Sequence, residues 1–110
     1  QRVETAHGPL YTEQLEPVFN TVPGVARSAL VGVGTPGQQV PVLCVQPARG
    51  QGNVAALLDS VRAHALQHTP GAGLQHVLVH PAFPVDIRHN AKIGREKLAA
   101  WAAIELEKRA

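Results

Sequence analysis

Two apolar segments rich in β-branched residues stand close together near the middle of the chain. They span residues 25–33 and 40–46, and Pro36-Gly37 lies between them. Segments of this length and composition, separated by a short loop with a turn signal, predict two antiparallel strands. The core is therefore expected to contain a β-sheet, and the other apolar segments have to cover it.

Three further segments carry apolar residues at helical spacing, and two others are suited to strands. The predicted helices cover residues 12–22, 53–68 and 94–109. Residues 74–80 predict a third strand of the sheet, and residues 2–5 predict a short strand that turns at His7-Gly8-Pro9. Residues 81–90 show no regular pattern and are expected to be irregular.

The order of these elements predicts an α+β fold. A small mixed three-stranded sheet, with a short N-terminal hairpin beside it, would be covered by three helices. The chain has 110 residues, 45% of them hydrophobic, which is enough for one modest core. We therefore expect a single domain over residues 1–110.

Composition excludes several classes of function. A net charge of +2 with 4% aromatic residues is too weak a signal for a nucleic-acid-binding protein. No apolar run approaches the roughly 18 residues of a transmembrane helix, and no signal peptide is visible. The single cysteine, Cys44, lies in an apolar run and is expected to be a buried hydrophobe. A cytoplasmic location is expected, and the lack of methionine predicts a piece of a longer protein.

Two patterns invite a ligand but favour structural interpretations. Residues 32–37 spell GxGxxG, yet the segment that follows predicts a strand, so no helix N-terminus is available for a pyrophosphate. His64 and His68, and likewise His76 and His80, are four residues apart. Neither a cysteine pair nor a carboxylate at standard spacing accompanies them, so we predict no metal site.

A third pattern is a cluster of positive charge before the last helix. Arg88, His89, Lys92, Arg95 and Lys97 lie within ten residues. Cations at the start of a helix oppose its dipole, and a docked anion would offset that unfavourable term. The cluster alone leaves two interpretations open: a solvated loop, or a tip directed at phosphate or carboxylate.

A family resemblance decides between them. Residues 90–98, Asn-Ala-Lys-Ile-Gly-Arg-Glu-Lys-Leu, resemble the Asn-Gly-Lys-(Val/Ile)-x-Arg-x-x-Leu pattern that closes the small C-terminal domain of adenylate-forming enzymes. Residues 1–8 resemble the segment after the interdomain hinge of that family. Residues 15–19 resemble its Ile-Glu-x-x-Leu helix, and residues 22–33 its hPxVxxAAVVGhP stretch. At finer grain, residues 4–14 and 83–92 resemble the bacterial olefin-biosynthesis β-lactone synthetases.

The resemblance implies a role for particular residues. Lys92 would be the catalytic lysine, with Arg88 and Arg95 as supporting charge for phosphate or carboxylate. Thr5, His7, Gly8 and Pro9 would form a hairpin facing the substrate or acceptor. The pattern departs from the family at Ala91, where glycine is usual, at Thr5, where lysine is usual, and at Pro9.

The resemblance also implies a function for a larger enzyme. This chain would be the mobile C-terminal lid of an AMP-forming ligase, and a large N-terminal adenylation domain would bind most of the ATP and Mg²⁺. The substrate would be a fatty acid or a long-chain β-hydroxy acid, and the product of the latter a β-lactone. Two alternatives stay open: a fatty-acyl-CoA ligase and a non-catalytic small α+β binding module.

Overall fold

The computed structural model describes residues 1–86 and 89–109, with side chains described for residues 1–85 and 93–109. Strands β1 (Arg2–Thr5) and β2 (Gly8–Tyr11) form an antiparallel hairpin, and helix α1 (Thr12–Phe19) follows directly. Strands β3 (Val25–Val33) and β4 (Val40–Pro47), helix α2 (Val54–His68) and strand β5 (His76–Val79) complete the first part of the chain. Strands β6 (Val85–Asp86) and β7 (His89–Ile93) then lead into helix α3 (Arg95–Arg109).

The central sheet has the order β3-β4-β5, with β3 antiparallel and β5 parallel to β4. The parallel pair requires a crossover, and α2 provides it. This arrangement confirms the predicted α+β fold with a mixed three-stranded sheet, an N-terminal hairpin and, in the described residues, three helices.

Side chains alternate between the two faces of the sheet, because successive residues of a strand point in opposite directions. Leu43 and Val45 of β4 join a buried cluster with Phe19 of α1 and Val61 of α2. Val42 and Cys44 join a second cluster with Leu98 and Ala102 of α3. The sheet is thus packed between α1 and α2 on one side and α3 on the other.

Several predicted boundaries were wrong. Helix α1 ends at Phe19 rather than at residue 22, since Thr21 and Val22 form a turn whose groups bond back to the last helical carbonyls. Tyr11 holds the N-cap position of α1. The Thr12 hydroxyl donates to the carbonyl of Gln1, 3.1 Å away, and holds the start of the chain against the helix.

The largest correction concerns residues 81–93. Residues 81–90 were expected to be irregular, but in the described part of this segment β6 and β7 pair antiparallel, with Val85 opposite Ile93. The N–H of Gly94 then donates to the carbonyl of Pro84 at 2.7 Å. The segment that carries Lys92 is therefore a strand that is fixed to residues 84–86 at its end.

Candidate functional site

The tip of the β1–β2 hairpin is closed by a single hydroxyl group. Thr5 Oγ1 donates to the carbonyl of Gly8 at 2.7 Å and accepts from the N–H of His7 at 3.1 Å. Gly8 has a φ of 118°, a conformation that side chains disfavour. Thr5 stands where the resemblance leads one to expect a lysine, and its observed role is to shape the turn.

Pro9 fits this hairpin without loss of a ladder hydrogen bond. It lies opposite Glu4 in the register. The backbone groups of Glu4 bond away from β2, towards residues 37–39 of the β3–β4 loop. A proline can occupy an edge strand when its missing N–H would face outwards. The departure at Pro9 therefore stiffens the hairpin while leaving its pairing intact.

The hairpin tip lines an open cleft of about 460 Å³. The opposite wall is formed by the 3₁₀ turn Pro70–Ala72 with Gly73 and by His76 at the start of β5. All four residues predicted to face the substrate or acceptor, Thr5, His7, Gly8 and Pro9, line this cleft. The cleft gives the predicted acceptor hairpin a concave surface beside it.

The start of α3 lies at a different concavity. Arg95 and Glu96, with Arg2 and Val3 of β1, line a groove of about 180 Å³. Lys92 lies on β7, three residues before Arg95, and its side chain is outside the described part of the chain. Arg88 lies wholly outside the described residues. The catalytic role of Lys92 and the supporting role of Arg88 stay predictions.

Arg95 is held by a carboxylate of the same chain. Its guanidinium donates to both carboxylate oxygens of Glu16, at 2.7 and 2.8 Å, and to the carbonyl of Leu30 at 3.2 Å. The Leu30 N–H donates to the same carboxylate at 2.7 Å. The Arg95 and Glu16 side chains are 24% and 12% exposed, so the pair is largely withdrawn from water.

This ion pair joins three elements at the point where the lysine-bearing strand ends. Bidentate pairing of arginine with a carboxylate fixes orientation as well as distance. Through it, the first residue of α3 is locked to α1 and β3, while Leu98 one turn later is fully buried. Local charge pattern could not identify Glu16 as the partner of Arg95, since 79 residues separate the two.

The other candidate residues keep structural roles. His64 Nε2 lies 3.0 Å from the carbonyl of Val18, and the His64 and His68 rings are 4.2 Å apart. His80 packs against Trp101 on α3. Among the residues with described side chains, no group of three or more acidic, histidine or cysteine side chains is placed to hold a metal. Burial raises the pKa of the Cys44 thiol to about 12, which removes its nucleophilicity and fits the predicted role as a core residue.

The glycine-rich loop is a hairpin loop, as predicted. Residues 34–39 connect β3 to β4, and the N–H groups of Gly37 and Gln39 both donate to the carbonyl of Glu4 at 2.9 Å. These donors are therefore engaged within the chain. Among the described helices, none is long and apolar enough to cross a membrane.

The fold resembles part of a solved ligase structure. The domain is similar to part of an anthranilate CoA ligase, AuaEII, whose structure contains anthranoyl-AMP, with a TM-score of 0.79 and 16% identity over 96% of this chain and 20% of that one. The chain therefore shares its fold with about one fifth of this ligase. No protein-family model matches the chain.

Sequence comparison is more specific. The chain is 76% identical, over all 110 residues, to an olefin beta-lactone synthetase of Stenotrophomonas maltophilia. It is 62% identical over 104 residues to an olefin beta-lactone synthetase of Xanthomonas campestris pv. campestris. Over its whole length the chain is thus similar to one part of these synthetases. It spans about one fifth of the length of the curated relatives it matches.

Proposed function

We propose that this chain is the mobile C-terminal domain of an ATP-dependent enzyme that converts long-chain β-hydroxy acids to β-lactones. The observation that carries the proposal is the 76% identity to an olefin beta-lactone synthetase over the whole chain. Because the chain matches only one fifth of that relative, we assign the large adenylation domain to the same, longer polypeptide. A self-standing binding module has no comparable support.

The proposed reaction has two steps. First, a carboxylate oxygen of the acid attacks the α-phosphorus of ATP, and pyrophosphate leaves. Second, the β-hydroxyl oxygen attacks the activated carbonyl carbon and loses its proton to water, and AMP leaves as the four-membered ring closes. Atoms balance without an external thiol, so coenzyme A has no part in the proposed reaction.

Lys92 is assigned to the first step. The approach of a carboxylate to a phosphate brings two anions together, and a cation at the reacting oxygens lowers the energy of that arrangement. Closure of the domain would bring the lysine in and exclude water, which strengthens the interaction. The β6–β7 pairing, the Gly94–Pro84 bond and the Arg95–Glu16 pair support this assignment, because they fix the backbone that presents Lys92.

The hairpin is assigned to the second step. Its tip lies at the 460 Å³ cleft, whereas the 180 Å³ groove is lined by Arg95 and Glu96, which follow Lys92 closely in the sequence. Two working surfaces on one small domain suit an enzyme that presents a different surface in each step. The Thr5-closed, Pro9-stiffened tip would shield the acyl-adenylate from water while the hydroxyl attacks.

Nucleotide and metal are assigned mainly to the adenylation domain. The described residues offer neither a free glycine-rich phosphate loop nor a group of three metal ligands. ATP is a substrate of the proposed reaction, and this domain would contact it through Lys92. Mg²⁺ would accompany the nucleotide on the other domain, and no step is assigned to it on this chain. A cytoplasmic location stays a prediction.

Pyrophosphate exchange tests the proposal. We expect the longer polypeptide to catalyse ATP–pyrophosphate exchange that depends on a β-hydroxy fatty acid. The 110-residue chain alone and the polypeptide lacking it should both show none, since each holds only part of the site. Exchange by the chain alone, or full exchange without it, would contradict the assignment.

A further inference from the structure

In the described residues, the backbone of β1 hydrogen-bonds to the β3–β4 loop through Glu4. Glu4 uses both backbone groups for this: its carbonyl accepts from the N–H groups of Gly37 and Gln39, each at 2.9 Å. Its N–H donates to Gln39 Oε1 at 2.8 Å. Glu4 immediately precedes Thr5, whose hydroxyl closes the tip. These bonds hold the end of β1 that leads into the tip against the 37–39 loop.

Gly32 makes room for the Gln39 side chain. A Cβ on this glycine would lie 2.6 Å from the side-chain amide of Gln39, closer than real Cβ contacts come. The backbone conformation at residue 32 does not require glycine, since its φ is not positive. The absence of a side chain at residue 32 is thus explained by the amide packed over it.

We propose that Gln39 is a positioning residue that orients the hairpin for the second step of the reaction. Gly32 provides the space in which the Gln39 amide packs. The inference rests on the proposed function, because it assigns the hairpin tip to lactone closure. Gln39 is half-buried, so its amide oxygen is a shielded acceptor whose loss leaves the Glu4 N–H without a partner. The carbonyl of Glu4 keeps its two donors, and the hairpin loosens rather than unfolds.

The test variant is Gln39→Met, which keeps the length and packing of the side chain and removes the amide oxygen. In the full polypeptide we expect lactone formation from a supplied acyl-adenylate to slow by about tenfold, the scale of one shielded hydrogen bond. Hydrolysis of the adenylate by water should rise at the same time. ATP–pyrophosphate exchange should stay within about twofold, because the Lys92 segment is anchored by other contacts.

Three companion variants sharpen the test. Gln39→Glu keeps an acceptor oxygen and should restore most of the second-step rate. Gly32→Ala should reproduce the Gln39→Met defect by displacing the amide. Gln67→Met, an exposed glutamine on α2, should leave both steps unchanged. Hydrogen–deuterium exchange of the peptide covering residues 1–8 should accelerate in Gln39→Met and Gly32→Ala only.

Each result supports or overturns the inference. An unchanged second-step rate in Gln39→Met, an equal loss in both steps, or unchanged exchange over residues 1–8 would overturn it. If the unaltered polypeptide forms no acyl-adenylate, the proposed function itself fails. In that case, the amide exchange still decides whether Gln39 holds the hairpin.

Discussion

Replacing Lys92 with alanine should lower the rate of acyl-adenylate formation by about 100- to 1,000-fold, the usual scale for one preorganised electrostatic donor. The variant leaves two anions to meet without the cation that the closed domain would supply. The measurement is single-turnover formation of the acyl-adenylate from ATP and a β-hydroxy fatty acid, in the full polypeptide.

The matched control is Lys97→Ala, which removes an exposed lysine from the first turn of α3. It should leave the rate within about twofold. Lactone formation from supplied acyl-adenylate should be far less affected by Lys92→Ala than the first step is. Equal rates of adenylation in Lys92→Ala and the unaltered enzyme would return Lys92 to the solvated-loop interpretation.

Replacing Arg95 with methionine should lower the free energy of unfolding by about 3 kcal/mol. Removal of one partner from a buried ion pair leaves the other charge buried and unpaired, which lowers the free energy of unfolding by about 3–5 kcal/mol. The lower end applies because the arginine side chain is 24% exposed and the Leu30 N–H still donates to Glu16. The measurement is urea unfolding of the chain followed by the fluorescence of Trp101, its one tryptophan.

A mutant cycle separates this structural role from the predicted phosphate role. Glu16→Gln combined with Arg95→Met should destabilise by clearly less than the sum of the single changes, because no charge is left unpaired. Arg62→Met, at an exposed position on α2, should change stability little. If Arg95→Met leaves stability intact but slows adenylation, the guanidinium serves the phosphate instead of Glu16.

Local pattern was sufficient for the sheet and for two of the helices. Strand β3 was predicted with its observed bounds because its β-branched residues fill both faces of a covered strand. Helix α2 was predicted over residues 53–68 and runs from Val54 to His68, with the Asn53 side chain accepting from the N–H of Ala56 at 2.9 Å. These elements are specified by residues close together in sequence.

Strands β6 and β7 could not be predicted in this way. Strand β6 has two residues, and β7 reads His-Asn-Ala-Lys-Ile, which is polar and poor in β-branched residues. Their pairing comes from tertiary hydrogen bonds, including the Gly94–Pro84 bond, rather than from propensity. Strand β5 is also shorter than the predicted range of residues 74–80, because its pairing to β4 runs only from His76 to Val79.

The residues of the candidate site also differ in whether local sequence could predict them. The Lys92 motif and the hairpin could be predicted as site candidates because each is a short continuous run of residues. Glu16 and Gln39 were missed as partners, since the contacts that matter join residues 79 and 35 positions apart. The charge of Arg95 suggested an anion outside the chain, and the structure supplies one from within it.

Mass spectrometry of the reaction product tests the central claim most directly. The full polypeptide would be incubated with ATP, Mg²⁺ and a long-chain β-hydroxy acid, with and without coenzyme A. We predict the same rate of AMP release in both cases and a β-lactone, one water lighter than the acid, as the main product. A coenzyme A-dependent thioester as the main product would contradict the account and move the assignment to a fatty-acyl-CoA ligase.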